Sequence, residues 1–142
     1  GFESNDLGSE LGIVIRIKKA PTLIDDFNFY INSSKFDTLF FRINIYRIEN
    51  DEPRENLLKE NIFFTTQIKE GWNQVDLKKY HLVVDSDFMI SIEWVKDFGD
   101  LKSGLYFSGV LTGKRCYFRK ASEGNWEQVP IVGLSFNTTV RY

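Results

Sequence analysis

Apolar and polar residues alternate with a period of two along most of this chain. In Phe27-Asn28-Phe29-Tyr30-Ile31 the residues at 27, 29 and 31 share one face. In Leu39-Phe40-Phe41-Arg42-Ile43-Asn44-Ile45-Tyr46, Leu39, Phe41, Ile43 and Ile45 share a face and Arg42 and Asn44 the other. That is the repeat of a strand, not of a helix. Asn32-Ser33-Ser34-Lys35-Phe36-Asp37 between them is too polar to be buried and too short for a crossover helix, which predicts an antiparallel connection between neighbouring strands. A sheet with one apolar face needs a second layer. No later stretch carries the pattern of a long amphipathic helix, so the second layer is predicted to be another sheet.

The same pattern recurs before and after this pair. Ile13, Ile15 and Ile17 face inward against Arg16 and Lys18, and Pro21 ends that strand. Residues 49–56 are charged and contain Pro53, which predicts a loop. A strand over 61–68, with Leu57-Leu58-Lys59-Glu60 as its lead-in, sets Ile62, Phe64 and Ile68 on one side. Gly71 suits a turn that needs positive φ, and a short strand or bulge follows from Trp72 to Leu77. After the turn Asp85-Ser86-Asp87, residues Phe88, Ile90, Ile92 and Trp94 share a face opposite Met89, Ser91 and Glu93. A glycine-bearing loop over 97–104 leads to short strands at 105–107 and 115–119, a turn at 122–125, and a closing strand in which Leu134, Phe136, Thr138 and Val140 alternate. Residues 1–10 read as a flexible arm and 11–142 as one domain. About nine short strands then make an all-β, antiparallel β-sandwich of jelly-roll type. Its expected core is Ile15, Phe29, Phe41, Ile43, Ile90, Ile92 and Phe136. Phe40 and Phe63 stand on faces that should be polar, the mark of a sheet covered on both sides.

Composition agrees and narrows the functional classes. The 142 residues suffice for a self-supporting core, and the 13 Phe suit half-buried strands. A net charge of -2 from 18 basic and 20 acidic residues gives no field to attract a phosphate backbone, so nucleic acid is not an expected partner. No apolar run is long enough for a membrane-spanning helix. The chain opens Gly1-Phe2-Glu3 without Met, so a signal peptide or a preceding domain is expected outside it.

The order of landmarks carries a resemblance. Pro21-Thr22-Leu23-Ile24, the two strands at 27–31 and 39–46, Gly71-Trp72-Asn73-Gln74-Val75-Asp76-Leu77 and Ile90-Ser91-Ile92-Glu93-Trp94 resemble, in that order, the jelly-roll β-sandwich modules of bacterial cell-envelope proteins. The chain is similar over residues 11–142 to the sandwich region that accompanies carboxypeptidase-regulatory-like domains, and more distantly to galactose-binding-like modules. The resemblance implies a non-catalytic accessory module at the envelope, or secreted, that binds a glycan or a partner protein. A purely structural spacer of a larger surface protein is the other reading. It implies no catalytic residues and no cofactor.

Candidate chemistry is sparse. His81 and Cys116 are the single histidine and cysteine, too few for a zinc site or a convincing nucleophile–base pair. Asp25-Asp26, Asp85-Ser86-Asp87 and Asp97 with Asp100 could hold calcium or act as paired carboxylates, but they are placed like turn residues, and no EF-hand spacing occurs. No metal is therefore expected. Aromatic rings offer the better chemistry, because a sugar ring stacks its C–H surface on Trp or Tyr while amides and charges fix its hydroxyls. Trp72, Trp126, Tyr106 and Tyr117 are the candidates at turns and short strands. Trp72 and Trp126 read first as caps on the two open ends of the sandwich, and the loops near them are where a ligand, if there is one, is expected. Arg42 and Glu93 sit opposite the apolar faces of two strong strands, where an ion pair across strands or a ligand-binding pair is expected, with Tyr46 on the same face.

Overall fold

Every strand pair in the computed structural model is antiparallel. The structure describes residues 2–4, 10–34, 36–67, 71–99, 105–107, 109–110, 116–119, 125–129, 133–134 and 136–142. They form β1 (Phe2–Ser4), β2 (Glu10–Ile15), β3 (Thr22–Ser34), β4 (Phe36–Glu49), β5 (Glu52–Asn56), β6 (Ile62–Gln67), β7 (Gly71–Asp76), β8 (Leu82–Val84), β9 (Phe88–Gly99), β10 (Leu105–Phe107), β11 (Gly109–Val110), β12 (Cys116–Arg119), β13 (Glu127–Val129), β14 (Gly133–Leu134) and β15 (Phe136–Arg141), with one 3-10 turn at Lys78–Tyr80.

Two sheets are built around the two longest strands. β3 has β15 and β10 end to end along one flank and β7 and β8 along the other, and β1 pairs β10. β4 has β9 along one flank and β6 and β5 along the other, and the sheet continues through β2 and β12 to β13. β11 and β14 form a separate short pair. The two large sheets pack face to face, since one continuous core holds Ile24, Phe27, Phe29, Leu77 and Val84 from around the first and Leu11, Ile13, Phe41, Ile43, Phe88, Ile90 and Ile92 from the second. Phe29 meets Phe41 edge-on at 6.2 Å between ring centroids, and Phe41 stacks on Phe64 at 5.0 Å. The fold is a β-sandwich, as the alternation predicts.

Four expectations change. The strands at 27–31 and 39–46 are not neighbours in one sheet: β3 and β4 lie in opposite sheets, so Phe29 and Phe41 touch across the sandwich. A period of two tells which face of a strand is apolar, but says nothing about its pairing partner. Residues 52–56 are not loop but strand, because Asn50 and Asp51 both take the left-handed conformation (φ 50° and 62°). That is the two-residue turn whose twist suits a hairpin, and Pro53 is tolerated because β5 is an edge strand. Residues 57–60 do not join β6; the Leu57 amide instead donates to the Ile45 carbonyl at 2.7 Å. The stretch 1–10, expected as an arm, contributes β1 and, at Glu10, a fully buried carboxylate at the start of β2. Of the expected core, Phe29, Phe41, Ile43, Ile90 and Ile92 are fully buried and Ile15 is half-buried. Phe136 pairs with Phe29 in the ladder, its side chain lying outside the described residues.

The parity of Phe40 and Phe63 also has an explanation. They stack at 5.2 Å on the outer face of the β4 sheet, and further along that face Val14, Tyr46, Met89 and Tyr117 form a second buried cluster. Gly12 lies on this face, where an added Cβ would stand 2.9 Å from the Met89 Cγ and Sδ and 2.9 Å from the Ser91 Cβ. Both neighbours are fully buried, so an added methyl must displace packed atoms. Gly12→Ala is therefore expected to cost about 1–3 kcal/mol by overpacking, read as a lower urea midpoint with an unchanged slope.

Candidate functional site

Each sheet turns one face to the shared core and the other outward, and a flank lies between them. The two outer faces are chemically opposite.

On the outer face of the β4 sheet, the register lines up Arg119 (β12), Glu10 (β2), Glu93 (β9) and Arg42 (β4) in one row across four strands. Two adjacent carboxylates are thus bracketed by two guanidinium groups. Arg42 forks onto Glu93, with Nε and Nη2 donating to Oε1 at 2.9 and 2.7 Å and Nη2 to Oε2 at 2.8 Å. Arg119 forks onto Glu10 Oε1 from Nε and Nη2 at 3.0 and 2.7 Å. Between the carboxylates the Asn44 amide donates to both Glu10 Oε2 and Glu93 Oε1 at 2.9 Å, which relieves their repulsion. Tyr46 donates to Glu10 Oε2 at 2.8 Å, and the Ser91 hydroxyl also bonds that oxygen. The Arg119 guanidinium lies 4.3 Å from the centre of the Trp126 ring, and Trp126 meets Tyr46 edge-on. Glu10, Ser91, Asn44 and Glu93 are all buried. Glu10 already accepts hydrogen bonds from four side chains, so it has no open side for a substrate.

The Tyr46 phenol is held above its ordinary value near 10, first by burial and then by the Glu10 carboxylate beside it. A pKa raised on folding stabilises the fold below the unfolded value, about 10, and that contribution disappears as the pH climbs above it.

The outer face of the β3 sheet is open. Trp72 (β7), 51% exposed, lies directly across from Tyr30 (β3), and the two rings meet edge-on with centroids 5.5 Å apart. Gln74 pairs with Asn28, and Asp76 with Asp26. Thr139 (β15) stands across from Asp26 on the other flank. Aromatic, amide and carboxylate rows therefore follow one another along β3 and β7. Asn28 donates to Asp26 Oδ1 at 2.8 Å and the Thr139 amide to the same oxygen at 3.0 Å, which fixes that carboxylate. Planar rings beside oriented amides and carboxylates can stack a sugar and hydrogen-bond its hydroxyls.

On the flank, β5–β6 and β7–β8 are each interrupted, and the interruptions enclose a cavity of about 430 Å³ walled by Ile45, Leu57, Tyr80 and Val84. His81 and Lys59 stand among the residues around it, and His81 takes the left-handed conformation at the end of the 3-10 turn. A shallower hollow holds Asp51, Asp85 and Asp87, but Asp87 Oδ1 accepts the Ile17 amide at 2.9 Å. Among the described residues no group of three or more His, Cys, Asp or Glu could hold a metal ion.

The residues singled out in the sequence divide between the two outer faces. Arg42, Glu93, Tyr117 and Trp126 gather on the β4 sheet, where Arg42 and Glu93 form the expected cross-strand ion pair and Tyr117 donates its hydroxyl to the Asp51 carbonyl. Of the five whose side chains are described, Trp72 alone stands on the open face, in a strand and not in a loop. Tyr106 lies in β10, paired with Ser33 and Glu3, its side chain outside the described residues. Trp126, just ahead of β13, is half-buried against Tyr46 and Arg119. The partners of Trp72 were missed: Tyr30, Asn28, Gln74, Asp26 and Asp76. Their signal was the polar parity of β3 and β7, opposite Phe27, Phe29 and Val75. Glu10, Ser91 and Arg119 were missed because their roles depend on the register of four strands distant in sequence. Comparison with protein-family models, with curated proteins and with solved structures found no match.

Three outcomes follow, two for the buried row and one for an exposed pair. Arg119→Met leaves the Glu10 charge uncompensated and is expected to cost about 3–5 kcal/mol in urea unfolding. Arg47→Ala, which removes the exposed Arg47–Glu55 pair, should cost less than about 1 kcal/mol. Between about pH 9 and 12 the native protein is expected to lose more stability than Tyr46→Phe, which lacks the titrating group, when both are followed by thermal melting.

Proposed function

We propose that this chain is a non-catalytic accessory module of the bacterial cell envelope, a sandwich of jelly-roll type, that binds a glycan on the outer face of its β3 sheet. The observation that carries the proposal is the half-exposed Trp72. An indole costs free energy to leave in water, and the sandwich has a core that could have taken it. It is instead held by Tyr30 on the outer face of the sheet, in β7, which among the described strands pairs with β3 alone, and oriented amides and carboxylates follow it along the strands. This is the usual composition of a sugar platform: one ring for stacking and a few fixed polar groups for orientation. The site moves from the loops expected from the sequence to a sheet face. Support for the envelope setting comes from the sequence resemblance to surface-protein sandwiches.

A second reading, a spacing or stabilising domain of a larger surface protein, draws on the opposite face. There the charge row is internally paired and leaves the sheet rigid without offering a ligand anything.

A glycan array probed with the native module and with Trp72→Ala separates the two. Binding by the native chain, weakened at least about tenfold by the substitution, supports the platform. The melting temperature should hardly move, because replacement of a half-exposed surface residue costs within about 0.5 kcal/mol. Absence of binding together with a large drop in melting temperature would assign Trp72 to the framework.

A further inference from the structure

We infer that the ligand of this face is a linear, uncharged glycan strand lying along β3 and β7 and covering several sugar units; the inference rests on the glycan reading above. Trp72 and Asp76 are four residues apart in one strand with the same parity, which separates the aromatic row from the carboxylate row by about 13 Å at ~3.3 Å per residue. That span exceeds a single sugar ring. The rows succeed one another along the strands, so a ligand that uses all three must be extended in that direction. A single sugar ring would not reach all three.

The carboxylates decide the charge. Asp26 and Asp76 face each other directly across β3 and β7, and among the described residues neither forms an ion pair. Arg141, the nearest guanidinium on β15, is committed to Asp25 through bonds of 2.9 and 2.8 Å from its Nε. An anionic sugar brought to this end of the face meets two uncompensated carboxylates at short range. An uncharged sugar meets acceptors for its hydroxyls, and at the middle row the Gln74 amide offers both a donor and an acceptor. Gln74 is exposed and touches only the far oxygen of Asp26, at 3.5 Å, so its amide is free to turn to a ligand.

The test is a titration of the whole chain by tryptophan fluorescence and calorimetry. The probes are uncharged cello-, xylo-, manno- and laminari-oligosaccharides from dimer to hexamer, with oligogalacturonates as anionic counterparts. One uncharged series is expected to gain at least about tenfold in affinity between dimer and tetramer and then to level off, while oligogalacturonates bind at least about tenfold more weakly at low salt. Asp76→Ala should weaken the tetramer and leave the dimer unchanged, Trp72→Ala should weaken both, and Asp76→Lys should raise affinity for oligogalacturonate. If the dimer binds as tightly as the hexamer, or oligogalacturonate as tightly as its uncharged counterpart, this inference is overturned while the glycan reading stands. If the native chain binds none of the probes, both fall.

Discussion

The Glu10 carboxylate is the group on which the larger sheet depends. It is fully buried on the outer face, and its hydrogen bonds reach Asn44 and Tyr46 on β4, Ser91 on β9 and Arg119 on β12. One side chain thus ties together four adjacent strands that are far apart in sequence. A buried charge is tolerable only when it is paired and its remaining lone pairs are occupied, and here both conditions are met from strands in one particular register. A slip of one residue in any of these strands would turn its contribution into the apolar core and leave Glu10 without a partner. The charge row therefore acts chiefly on register, while the Phe and Ile cluster between the sheets supplies most of the stabilisation.

Much of the fold was legible in the sequence because alternation is a local property. The inward parity of Phe27, Phe29, Phe41, Ile43, Ile90 and Ile92 can be read within windows of five to eight residues, and all six are buried in the core. What was not legible is long-range. The placing of β3 and β4 in opposite sheets, and the connectivity that would distinguish a jelly roll from another sandwich, depend on which strands pair, and a period of two is silent on that. The strand at 52–56 was hidden because charge and Pro53 suggest a loop, whereas the left-handed pair Asn50-Asp51 makes a tight hairpin whose edge strand can carry both. The candidate site was half legible. Trp72 drew notice as an aromatic near a glycine, and the Arg42–Glu93 pair followed from parity, but the neighbours that give Trp72 its setting become visible only with the β3–β7 register.

The contrast between the two outer faces follows from how each has used its hydrogen-bonding capacity. On the β4 sheet the polar residues are long or branched enough to reach one another across strands, and they sit beside Tyr46, Tyr117 and Trp126, which exclude water. Once water is excluded, every donor and acceptor there must be matched within the protein, so the face becomes part of the interior. On the β3 sheet the polar residues at 26, 28, 74 and 76 are shorter or exposed, and water remains available to complete them. Such groups keep exchangeable bonds, which the hydroxyls of the proposed ligand would take over from water. The sealed face fixes the relative positions of the strands, and through the shared core that order passes to the open face, where Tyr30 and Trp72 are held on adjacent strands; a ligand of the proposed kind would then find its two rings already in place.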